Sequence, residues 1–66
     1  MNYKQLDRKA SDIITKLRNK VAKDGYYENL GVTEELKFRD ELSSSSLDYT
    51  EQWQLRDMLR QAIETI

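Results

Sequence analysis

Apolar residues recur at helical spacing from the first residues of the chain. Between Tyr3 and Val21 they are Tyr3, Leu6, Ala10, Ile13, Ile14, Leu17 and Val21. At 100° per residue these fall within about 50° of one line, and the lysines and arginines lie outside it. The pattern predicts an amphipathic helix over residues 3–24. Lys20 and Lys23 sit in its last turn, where cations favour the negative end of the helix dipole. Gly25 follows as the residue expected to leave the helix in the left-handed conformation.

A second periodic segment begins near Thr33. Threonine as N-cap with Glu34 and Glu35 in the first turn predicts a helix over 33–42, ending in the serine run Ser43–Ser46. Asp48, with Glu51 three residues on, reads as a capping box that opens a third helix over 48–65. Its apolar stripe is Leu55, Met58, Leu59, Ala62, Ile63 and Ile66. The expected fold is therefore all-α, a small three-helix domain occupying residues 1–66. An alternative is open. Phe38, Leu42, Tyr49 and Trp53 would share a face if the helix ran unbroken through the serines, giving a two-helix hairpin that dimerises.

The intervening stretch, GYYENLG at 25–31, reads as a connector. Asn29 or Gly31 can take the positive φ of a tight reversal, and Leu30 and Val32 can drop into the core. A phosphate-binding loop is excluded here, because the glycine spacing is wrong, no lysine follows Gly31 and no strand precedes it. Tyr26 and Tyr27 each carry a large apolar body and a polar tip, so one can cover the core while the other faces a partner.

Composition limits the chemistry further. The chain has 66 residues and neither cysteine nor histidine. Domains of this size bury only about 60% of the surface exposed by the unfolded chain. Here no disulfide or ordinary structural zinc site can add to that. Helix packing, self-association or a partner must then supply the stability. No apolar run approaches the roughly 18 residues of a membrane span, and MNYKQLDRKASDII has no apolar signal region, so the expectation is a cytoplasmic protein. Common nucleophile–base pairs are missing, and the serines have no identifiable base. Glu34/Glu35 and Asp40/Glu41 would need a cleft to do acid–base work. They read instead as part of a solvated face with i,i+4 pairs Glu35–Arg39 and Lys37–Glu41. No enzyme activity, cofactor, metal or small-molecule substrate is expected.

Net charge is −1, unevenly spread. Residues 1–24 hold seven basic side chains against three acidic ones, and residues 25–66 hold four against nine. Arg8, Lys9, Lys16, Lys20 and Lys23 would give helix 1 a basic face able to bind nucleic acid without sequence preference. The simpler reading is a basic helix lying beside acidic ones. Residues 34–42 offer only Lys37 and Arg39 against four acids, which argues against a recognition helix in a DNA groove.

Trp53 stands out. It points roughly 140° from the centre of the helix 3 stripe, and Tyr49 shares its side. It either packs on Phe38 and Leu42 or lies on the surface as a binding anchor, the role in which tryptophan and tyrosine are most enriched. The candidate partner-binding residues are Trp53 and Tyr49, with Tyr26 and Tyr27 as outer members. Another protein, or a second copy in a homodimer, is the expected partner.

The segments GYYENLG and LDYTEQWQLRDMLRQAI resemble short, uncharacterised helical proteins carried by phages, plasmids and conjugative elements of Gram-positive bacteria. The resemblance implies context only: an accessory protein that contacts another macromolecule inside a bacterial cell. It transfers no binding residue.

Overall fold

A computed structural model describes residues 2–66, which form three helices: α1 (Tyr3–Asp24), α2 (Val32–Ser43) and α3 (Tyr49–Glu64). The described residues contain no strand. The all-α three-helix domain expected from the periodicity is the fold observed, and the continuous hairpin is not. The serine run does break the helix. Ser44 and Ser45 turn their hydroxyls back onto the Asp40 and Leu42 carbonyls at 3.0 and 2.6 Å. Ser45 Oγ also accepts from the Leu47 amide at 3.3 Å. Such local bonds compete with helix continuation.

Two of the helices begin with reciprocal side-chain caps. At α3, Asp48 accepts from the Glu51 amide at 2.8 Å, and the Glu51 carboxylate accepts from the Asp48 amide at 3.4 Å. At α1, Asn2 accepts from the Gln5 amide at 2.9 Å, and Gln5 Oε1 accepts from the Asn2 amide at 3.0 Å. This second box has the same i,i+3 spacing, with an amide in place of each acid.

Helix α2 begins differently from the sequence expectation. Thr33 is not its N-cap; the helix starts at Val32, and Gly31 occupies the cap with φ 79° and ψ 1° and no side-chain bond. Asn29 also has positive φ, and its carbonyl accepts from the Val32 amide at 3.2 Å. Two positive-φ positions, either side of Leu30, thus swing the chain into helical register before Thr33 is reached. Glu34 and Glu35, in the first turn, offset the free amides there. The earlier start also turns Val32 outward, 45% exposed, while Leu30 alone drops into the core. At the other end of the connector, Gly25 has φ 84° but ψ 169°, so it opens out instead of closing a left-handed cap.

Helix α2 runs antiparallel to α1 and α3. Its last turn meets the first half of α1 where Lys9 Nζ donates to Glu41 Oε1 at 2.6 Å. Its start meets the far end of α3, since a Cβ placed on Gly31 would lie 2.9 Å from Ile63 Cδ1. The core between the helices is Leu6 and Ala10 from α1, Phe38 and Leu42 from α2, and Leu55 and Leu59 from α3. Ile13, Ile14, Leu47 and Ile63 flank it. Met58, grouped with the stripe by periodicity, sits at its edge and is 37% exposed. The two i,i+4 pairs expected along α2 do not form: Glu41 reaches across to Lys9, and the helical pair that does form is Arg60–Glu64 at 3.4 Å. Interhelical approach gives Glu41 a half-buried partner that a neighbour on its own exposed helix face cannot match.

Candidate interaction surface between α2 and α3

Four residues of spacing place Tyr49 and Trp53 one turn apart on α3, and both remain outside the core. Trp53 is 47% exposed and Tyr49 74% exposed. Their rings meet edge to face with centroids 6.4 Å apart and planes at 65°. Such pairs contribute about 0.5–1.5 kcal/mol, which favours this mutual orientation of the rings. Arg56, three residues on from Trp53, lays its guanidinium over the indole at 5.4 Å. Trp53 is therefore half-exposed and stands outside the buried cluster that contains Phe38 and Leu42.

Beside the indole, the last turns of α2 and the first turns of α3 enclose a shallow pocket of about 120 Å³. Buried Leu42 closes its bottom and the two aromatic rings form one wall. Arg39, Arg56, Ser43 and Gln52 complete the lining, and none of the lining residues is acidic. Among the described residues, neither Arg39 nor Arg56 has a carboxylate partner, since the ion pairs are Lys9–Glu41 and Arg60–Glu64. The site thus combines an apolar bottom, two aromatic faces and two guanidinium groups free to take an anion.

The other candidate residues lie elsewhere. Tyr26 and Tyr27 leave α1 in the connector, 70% and 39% exposed. That connector packs at the Ile63 end of α3, about 21 Å along the helix from Tyr49. They do not extend the Trp53 patch. Tyr27 instead accepts Lys20 Nζ over its ring at 5.2 Å. Of the basic residues on α1, Lys9 is committed to Glu41 and Lys20 to Tyr27. Arg8, Lys16 and Lys23 are exposed, and at 100° per residue these five basic residues fall within about 120° of arc on α1.

Arg39 was readable from sequence only as a surface charge. Its place beside Trp53 depends on how α2 crosses α3. Arg56 had a local signal, a cation three residues from an off-stripe tryptophan, which is one helical turn.

The fold and this surface define a small three-helix domain with an exposed aromatic–arginine patch. No protein-family model matches the chain, and no curated protein or solved structure shows significant similarity to it. No helix among the described residues is long and apolar enough to cross a membrane.

Proposed function

We propose that this protein is a non-catalytic, cytoplasmic protein–protein interaction module whose binding surface is centred on Trp53 and Tyr49. The observation that carries the reading is the half-exposed indole, flanked by the Tyr49 ring and the Arg56 guanidinium beside an open pocket. Burying a large apolar ring is favourable in a core and equally favourable against a partner. Here the helix leaves the ring outside while eight other apolar side chains are buried. An accessory role for a phage, plasmid or conjugative element rests on the resemblance carried by residues 25–31 and 47–63.

The test compares the wild-type chain with Trp53→Ala, both immobilised and challenged with a Gram-positive bacterial lysate, with light scattering of each across concentration. Helicity and urea midpoint should be nearly unchanged by the substitution. A protein retained by the wild type, or a self-association seen by light scattering, should be lost. Unfolding of the variant would make Trp53 a structural residue and overturn the assignment. So would identical retention by the two chains.

A further inference from the structure

The pocket beside Trp53 is chemically one-sided. Arg39 approaches it from α2 and Arg56 from α3, and no carboxylate lines it. The segment that supplies both arginines is acidic on balance, since residues 25–66 carry nine acidic side chains against four basic ones. Of those four, Arg60 is already paired with Glu64. The two arginines at the pocket are thus a local positive spot, with an indole and a phenol ring next to them.

From this we infer that the patch recognises a short acidic segment of a partner protein, in which an Asp or Glu side chain lies next to an apolar residue. The carboxylate enters between Arg39 and Arg56, and the apolar neighbour packs on Trp53 and Tyr49. The inference rests on the interaction reading above and gives it a partner chemistry. Guanidinium groups present planar N–H pairs that match a carboxylate, and charge-assisted bonds of this kind are shorter and stronger than neutral ones. The contact of Arg56 with the Trp53 ring favours one placement of its guanidinium, which lowers the ordering cost of binding.

Size and charge select this occupant over its competitors. Small-molecule sites enclose about 300–1,000 Å³. The pocket, at about 120 Å³, suits one side chain. A nucleic-acid backbone extends its negative charge along every nucleotide, and beyond the two arginines it would meet the surplus of acids on α2 and α3. A two-fold dimer through this face puts the same arginine-bearing patch on both sides of the interface, and none of the residues lining the pocket is an acid that could answer Arg39 and Arg56. A separate acidic peptide meets none of these penalties.

The test is selection of a displayed random 12-residue peptide library on the full-length chain. Binding of the enriched peptides is then measured by Trp53 fluorescence, since the chain has a single tryptophan. Peptides carrying Asp or Glu beside an apolar residue should dominate. Replacing that acid by its amide should weaken binding about ten- to hundredfold, and Arg39→Gln or Arg56→Gln in the protein should remove most of that difference. Circular dichroism of both variants should match the wild type. Peptides that need Trp53 yet show no acid preference would overturn the anion inference and leave the interaction reading standing. No enrichment together with a concentration-dependent dimer lost in Trp53→Ala would make a second copy the occupant and overturn it. Oligonucleotide binding abolished by the arginine variants would overturn it in favour of nucleic acid. No enrichment and no self-association would remove both readings.

Discussion

Gly31 is the point where the turn, the start of α2 and the end of α3 meet, so Gly31→Ala is expected to be costly for two separable reasons. The residue has φ 79°, in the left-handed region. A side chain with a Cβ loses about 1–2 kcal/mol there relative to its preferred backbone. The new Cβ would also lie 2.9 Å from Ile63 Cδ1 and 3.0 Å from Leu17 Cδ1. Both atoms are the ends of side chains that can give way, so the crowding should cost about 1 kcal/mol, the low end for overpacking. A total of about 2–3 kcal/mol is then a large part of the roughly 3–10 kcal/mol available to a domain of this size. It corresponds to a fall in melting temperature of about 8–24 °C.

Ile63→Val separates the two causes, because it deletes the Cδ1 atom that the new methyl would strike. Alone it should cost about 0.5–1.5 kcal/mol. In the double variant the contact with Ile63 Cδ1 is removed while the Leu17 contact and the backbone strain stay, so the combined loss should fall short of the sum by up to about 1 kcal/mol. Gly25→Ala is the control. Gly25 has φ 84°, but nothing lies within 4 Å of a Cβ built there. Its cost should be strain alone, and it should add to Ile63→Val without coupling. Urea unfolding followed by circular dichroism at 222 nm measures all five chains. Strict additivity of Gly31→Ala with Ile63→Val would refute the close approach of the connector to α3.

Two further substitutions probe the core and the caps. Phe38 is 1% exposed and is the largest fully buried side chain. Phe38→Ala should cost about 3–5 kcal/mol and leave much of the chain unfolded at room temperature, which near-native helicity without denaturant would contradict. Asp48→Ala removes the acceptor for the Glu51 amide and should lower stability by about 1 kcal/mol, read as a shift of the urea midpoint with the slope unchanged.

The parts of this protein that depend on neighbouring residues along the chain could be read without its structure. The seven apolar positions of α1, the Asp48–Glu51 box and the serine break all act over four residues or fewer. Each produced its element with the predicted type and nearly the predicted bounds. Even the off-stripe direction of Trp53 follows from counting 100° per residue from Leu59. The start of α2 misled because threonine has a cap chemistry that sequence makes visible, whereas the paired positive-φ positions at Asn29 and Gly31 act through backbone geometry.

What the tertiary structure alone decided is which faces meet. The antiparallel run of α2 brought Lys9 to Glu41, although the two are 32 residues apart in the chain. It also drew Arg39 to the side of Trp53, and left Tyr26 and Tyr27 at the opposite end from the patch they were expected to join. A periodic pattern states how far each side chain turns from its own helix stripe. It carries no information on the direction in which the next helix crosses, because that is set by the shapes of all the buried side chains at once.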